Sequence, residues 1–293
     1  MATISASAVK DLREKTGVGM MEAKKALEEA GGEFEKAVDI LRKKGLSAAA
    51  KKAARVAAEG MIASAVGQDG KAGVLIEVNS ETDFVAKNEE FQGFARRLAA
   101  LVLERNPADV DALSKLDLDG EDVESRRRAL VQKIGENIAI RRFVRYETDG
   151  RLAVYLHGNR IGVMVDYSGG DDEAGKDIAM QVAAANPQYA SRETVPSEAL
   201  ERERTIYREQ AKQTGKPANV IEKIVDGKIE KFFGETCLME QVFIKDPEGK
   251  LRVKDMLAKK GGMTVRRFVR YQLGEGIEKK KENFAEEVAA QLK

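Results

Sequence analysis

Apolar positions in the first 45 residues recur at helical spacing in three short runs, each closed by glycine. Val9 and Leu12 share one face of a first run capped by Ser5 or Ser7, and Thr16-Gly17-Val18-Gly19 breaks it. A second run starts near Met20-Met21 and carries Met21, Ala23 or Lys24, and Leu27, before Gly31-Gly32. A third places Phe34, Ala37, Val38 and Leu41 one turn apart and ends before Gly45. Residues 46–58, LSAAAKKAARVAA, carry little apolar bulk, and they predict a helical linker that is either mobile or docked.

Beyond residue 58 the pattern changes to short continuous apolar runs alternating with helical stretches, and it repeats. Arg141-Arg142-Phe143-Val144-Arg145-Tyr146 recurs letter for letter as Arg266-Arg267-Phe268-Val269-Arg270-Tyr271. Upstream, Gly70 to Val78 (GKAGVLIEV) parallels Gly158 to Asp166 (GNRIGVMVD). A helical segment follows each run: Phe91, Phe94, Ala95, Leu98 and Val102 in the first, Ile178, Val182 and Ala185 in the second. Each copy therefore predicts strand, helix, further helix or loop, and strand. From Val163 to Arg266 the second copy spans 103 residues against 67 from Val74 to Arg141 in the first, an excess of 36. That excess falls near 188–228 and predicts an antiparallel helical hairpin. One helix runs behind Pro196-Ser197 through Leu200, Tyr207 and Ala211; the other carries Ile221, Ile224 and Val225 up to Gly227-Lys228. At the end, Asn283 caps a short helix with Phe284, Val288 and Leu292 on one face, which needs something to dock on.

The expected architecture is α+β. It comprises a three-helix domain at 1–45 of the ubiquitin-associated type, a linker at 46–58, a first core subdomain at 59–148, a second at 149–273 with the hairpin inserted, and a helical module at 274–293. Composition adds exclusions. The 34% of charged residues exceeds the ~25% of an average protein and suits long exposed helices, while the net charge of +1 gives no global field for nucleic acid or anionic membrane. No apolar stretch approaches the ~20 residues that span a bilayer. The opening MATISASAVKDLREK lacks both a signal peptide's apolar core and a transit peptide's arginine-rich character, and with a single cysteine, Cys237, it leads to an expected cytoplasmic location. One histidine, His157, and one cysteine leave no zinc cluster, and no G-x-S-x-G elbow accompanies His157 for a triad. Gly70-Lys71 lacks the earlier glycine and the following hydroxyl of a phosphate loop, and Asp117 to Gly120 lacks the first and last ligands of a calcium loop. Composition thus argues against much enzymology, and no cofactor is expected.

Three stretches remain as candidates for recognition. RRFVRY reads as arginine and aromatic contacts for nucleic acid or as a half-buried strand with Phe143 and Arg145 on one face, and the near-neutral charge favours the strand. Met20 and Met21 fill a core or adapt to a partner. In SETDFVAKNEEF the strand ends at Asn79, Asn88 caps a helix with Glu89 and Glu90 in its first turn, and Ser80 to Lys87 connect the two. Glu81 and Asp83 are too few for a metal site. Asp83 and Phe84 are then a turn residue and a core plug, or an acid and an aromatic ring presented to a partner.

Five blocks, in order, resemble the bacterial translation elongation factor Ts family: TGVGMMEAKKAL (Thr16 to Leu27), TDFVAKN (Thr82 to Asn88), KIGENI (Lys133 to Ile138), HGNRIGV (His157 to Val163) and GEGIEK (Gly274 to Lys279). The resemblance covers essentially the whole chain. It implies a guanine-nucleotide exchange factor for the GTPase elongation factor Tu, with Thr82, Asp83, Phe84 and Val85 entering near the partner's magnesium and switch region. By the same match, Arg13, Met20 and Met21 face a helix beside the base-binding side of the nucleotide pocket, the His157 region touches another domain, and Phe284 and Val288 dock on the GTPase domain. The 188–228 hairpin corresponds to the family's coiled-coil arm and is a candidate for self-association. No membrane and no direct nucleic-acid partner is expected, although an RNA-binding translation accessory protein is the alternative.

Overall fold

The structure, a computed structural model, describes residues 4–278. It is a mixture of helices and small sheets, α+β in class. Helices α1 (Ala6–Thr16), α2 (Met20–Glu29) and α3 (Phe34–Lys52) come first, followed by strands β1 (Glu59–Val66) and β2 (Ala72–Ser80). Helices α4 (Asp83–Ala86), α5 (Glu89–Arg105) and α6 (Val110–Ser114) precede the two-residue strands β3 (Asp117–Leu118) and β4 (Glu121–Asp122). Helix α7 (Val123–Ile134) leads into β5 (Ile138–Glu147), β6 (Arg151–His157), β7 (Ile161–Ser168) and α8 (Asp172–Ala185). The hairpin α9 (Ser197–Lys212) and α10 (Ala218–Thr236), then α11 (Val253–Lys259) and β8 (Thr264–Gln272), complete the order.

The described residues pack as two units, one of residues 4–63, 76–144 and 272–278 and one of 64–75 and 145–271. The division falls within β1, β2, β5 and β8, at 144/145 where the sequence suggests 148/149, and the turn between β1 and β2 goes with the second unit. There Gly70 accepts the Leu152 N–H at 2.9 Å, and a Cβ on Gly73 would meet the Met164 sulfur at 2.8 Å.

In the first unit, α1 starts where the Ser5 side chain accepts the Ala8 N–H, and it ends on Gly17 at φ 70°. Leu12, Leu27, Ala23, Ala26, Ala37 and Leu41 form the small core of the three helices. Two expectations fail here. Met21 does not point inward: Met20 and Met21 are 50% and 63% exposed, because Ala23, Ala26 and Leu27 already occupy the inner face of α2. The third helix does not end at Gly45 but runs on to Lys52 through the first half of the expected helical linker, with Ala49 buried. A Cβ at Gly45 would lie 2.5 Å from the Gln132 side chain, so glycine there serves close packing of α3 on α7, while the alanines and lysines that follow are good helix formers.

Two three-stranded sheets share one order, β1-β2-β5 and β6-β7-β8, each with a flanking strand (β1, β6) that the apolar pattern did not single out. Strands β6 and β7 are antiparallel, pairing Arg151 with Tyr167 through His157 with Ile161. Both RRFVRY segments lie on strands, and their second arginines are held by acids of the central strands. Arg142 Nε donates to the fully buried Glu77 at 2.7 Å, and Arg267 Nε to Asp166 at 3.0 Å. These pairs equate Glu77 with Asp166, one position away from the alignment of Gly70 with Gly158. Burial by itself would raise the Glu77 pKa; the Gly274 N–H, Arg141 and Arg142 outweigh it and hold the carboxyl below its usual range.

In the second unit α8 and α11 cover the sheet through Ile178, Val182, Val253 and Leu257 against Val163, Val165 and Tyr167. The second hairpin helix does not stop at Gly227-Lys228. It continues to Thr236, since Val225, Ile229 and Phe233 carry its buried stripe on at four-residue spacing. Among the described residues no helix is long and apolar enough to cross a membrane.

Candidate partner-binding site

The strand-to-helix connection after β2 contains a helical turn of its own. Thr82, extended at φ −121°, is the N-cap of α4, with its hydroxyl accepting the Val85 N–H at 3.5 Å. Lys87 ends the turn, and Asn88 caps α5 by accepting from the Glu90 and Phe91 N–H groups at 2.9 and 3.1 Å. The turn thus hangs between two caps. Val85 is its only buried member, and Phe84 is 78% exposed, the most exposed large apolar side chain among the described residues. The core-plug alternative for Phe84 fails because Val85 fills that role: in a helical turn Val85 and Phe84 are about 100° apart, so both cannot face the core. Val85 is buried in the free chain; of the four sequence-selected residues, Asp83 and Phe84 are the exposed ones.

Lys87 covers this outward pair. Its ammonium lies 2.8 Å from the Asp83 carboxylate and 5.6 Å from the centre of the Phe84 ring. At 72% and 52% exposure the charge pair is wet and holds the turn only weakly. Among the described residues no three His, Cys, Asp or Glu side chains stand together to hold a metal ion.

The turn is tethered from below by the segment between α7 and β5. Gly135, at φ 90°, ends α7 in the left-handed conformation that favours glycine and sends the chain back toward β2. Glu136 then accepts the Thr82 N–H at 3.0 Å and the Thr82 hydroxyl at 2.7 Å. The Asn137 N–H donates to Glu81 at 2.6 Å, and the Asn137 side chain donates to the Arg55 carbonyl at 2.9 Å. Lys133, from the same stretch, pairs with Glu90 at the start of α5 and lies against Gly17, where an added Cβ would be 3.3 Å from its Cδ. Residue-by-residue reading of the sequence missed Glu136, Glu81 and Asn137 as functional neighbours of Phe84. The KIGENI block was the signal that contained two of them.

Arg13, Met20 and Met21 are all exposed and flank the Gly17–Gly19 turn of the first unit. His157 lies in the second unit, exposed at the end of β6, with Nδ1 3.0 Å from the Tyr155 hydroxyl. Phe284 and Val288 lie outside the described residues.

A family profile described as Elongation factor TS matches residues 81–275, from Glu81 of the tether to Glu275 beside Arg142. Full-length relatives agree. The elongation factor Ts of Alkalilimnicola ehrlichii is 53% identical over 99% of both chains, and that of Nitrosomonas eutropha is 54% identical over 100% of this chain and 99% of its own. The chain belongs to the elongation factor Ts family. The elongation factor Ts of Burkholderia multivorans, 52% identical over 100% of this chain and 98% of its own, extends the same match. The profile takes in the Asp83–Phe84 turn, its Glu136 tether and the His157 turn, and the full-length relatives add the three amino-terminal helices.

Proposed function

We propose that this protein is a guanine-nucleotide exchange factor for elongation factor Tu in the cytoplasm, and that Asp83 and Phe84 are inserted beside the GTPase's magnesium and switch region to release GDP. Membership of the elongation factor Ts family carries the exchange function. The single structural observation behind the assignment of the turn is an exposed phenylalanine on a tethered helical turn. An exchange factor breaks no covalent bond; it binds the nucleotide-poor GTPase better than the nucleotide-bound one and lowers the barrier to release. Each tenfold in rate needs ~1.4 kcal/mol, and burying one phenylalanine is worth ~1.5–3 kcal/mol, so Phe84 alone accounts for one to two decades. Larger acceleration requires separate touching points. Arg13, Met20 and Met21 supply one, the His157 turn a second, and Phe284 with Val288 a third. Asp83 acts on the polar and water shell around the partner's ion, since outer-shell groups tune metal affinity.

In the same reading the three amino-terminal helices are a ubiquitin-associated-type binding module, the two β-sheet portions are related copies, and the α9–α10 hairpin is the family's coiled-coil arm, available for self-association. The RNA-binding alternative loses its main support, because Arg142 and Arg267 are committed to Glu77 and Asp166. Fluorescent GDP preloaded on elongation factor Tu tests the function: accelerated release at micromolar protein is the expected result, and an unchanged rate would sink it. Tight, steeply salt-dependent binding of fluorescent RNA without the GTPase would revive the alternative.

A further inference from the structure

The geometry points to Glu136 as a positioning residue for nucleotide exchange, acting through Thr82 on the presentation of Phe84; the inference rests on the reading of Phe84 given above. Helix α4 has four residues and buries only Val85. A helical turn this short does not hold its own shape in water, and a ring that is 78% exposed adds little packing to help it. Val85 and the Gln92 amide, which donates to the Ala86 carbonyl at 3.0 Å, hold the far end of the turn; its start is fixed at Thr82, where one carboxylate grips twice, at the backbone N–H and at the hydroxyl, 3.0 and 2.7 Å away. The hydroxyl gives its single proton to Glu136 and turns a lone pair toward the Val85 N–H, so the α4 cap and the Glu136 grip share one oxygen. The bond from the Asn137 N–H to Glu81 runs the other way across the same seam. Residues 81–82 and 136–137 are thereby joined by three hydrogen bonds, each with a carboxylate as acceptor, the stronger kind.

A wedge adds to the release rate only in the fraction of encounters in which it is correctly aimed. Loosening the tether lowers that fraction, while other contacts still set how much protein half-saturates the GTPase. Glu136 is thus expected to govern the maximal release rate more than the half-saturating concentration.

The test measures release of fluorescent GDP from elongation factor Tu against protein concentration for the full chain and for E136A, E136Q, F84A and the F84A/E136A double variant. Melting temperature and amide hydrogen exchange over residues 80–88 accompany each. E136A is expected to lower the maximal rate about tenfold, the scale set by a lost charge-assisted hydrogen bond, with little change in half-saturation. E136Q falls between, because an amide oxygen can accept only part of what the carboxylate accepts. Exchange over 80–88 rises while the melting temperature holds within a few degrees. If Glu136 works through Phe84, the double variant is no slower than F84A within about twofold. An E136A rate equal to wild type, or a double variant slowed by the product of the two single effects, overturns the positioning role and leaves the Phe84 reading standing. An F84A rate equal to wild type overturns both. Should E136A fail to fold, E136Q carries the same comparison with F84A.

Discussion

Replacing Phe84 by alanine removes a ring that the folded chain hardly uses. At 78% exposure only about a fifth of the residue is covered, so against ~1.5–3 kcal/mol for a fully buried phenylalanine the loss of stability is about 0.3–0.6 kcal/mol. Alanine's better helix propensity returns part of that in α4. For units of this size the melting temperature should move by no more than ~1–2 °C. In the proposed complex the rest of the ring is covered, so the same substitution removes about four fifths of that value, ~1.2–2.3 kcal/mol, and slows release about 7- to 50-fold. The assay is stopped-flow release of fluorescent GDP from elongation factor Tu at saturating protein, beside thermal unfolding of the free chain. A drop of many degrees with a proportionate loss of activity would show that Phe84 supports the fold after all. A rate within twofold of wild type, with the melting temperature unchanged, would remove Phe84 from the release step.

Double substitution of Met20 and Met21 by alanine should leave the melting temperature within ~2 °C, given their 50% and 63% exposure, yet raise the half-saturating concentration in the same assay several-fold. Gly60 stands at φ 124° with the Val78 carbonyl 2.2 Å from where a Cβ would sit, so G60A should cost at least about 2 kcal/mol in urea unfolding; a neutral variant would mean that β1 is not seated on β2 as described. Glu240, 7% exposed, is held by Arg192, Arg252 and Lys254 at 3.0, 2.5 and 3.2 Å, and its pKa is pulled from 4.5 to about 2, chiefly by Arg192 and against the effect of burial. A carboxyl depressed in this way contributes stability that is complete above the unfolded pKa and is lost as pH falls from 4.5 toward 2, on the order of 2–3 kcal/mol. E240Q should therefore be less stable at neutral pH and show a flatter loss of stability over that acid window. A parallel acid profile for the two proteins would count against the cluster.

Much of the local structure follows from the chain by itself. The periodicity of Phe91, Phe94, Leu98 and Val102 and the cap at Asn88 define α5, because one apolar stripe has one way to face a core. The repeated RRFVRY marks two strands, and the family's five blocks identify what the protein is related to. Other features depend on neighbours distant in sequence. Gly45 reads as a helix stop until Gln132 is found against it, and Gly227 likewise until Ile229 and Phe233 prove to be buried beyond it. Met21 and Phe84 are as apolar as any core residue; both are exposed because Leu27 and Val85 already occupy the interior beside them. The tether of the Phe84 turn is the clearest case. Thr82 and Glu136 are 54 positions apart, and nothing in either local pattern predicts a hydrogen bond between them. Local sequence determines which face of an element is apolar, since that is a matter of spacing within one or two turns. Only the folded chain decides which apolar or acidic residue finds room inside, because that depends on what other segments have already filled.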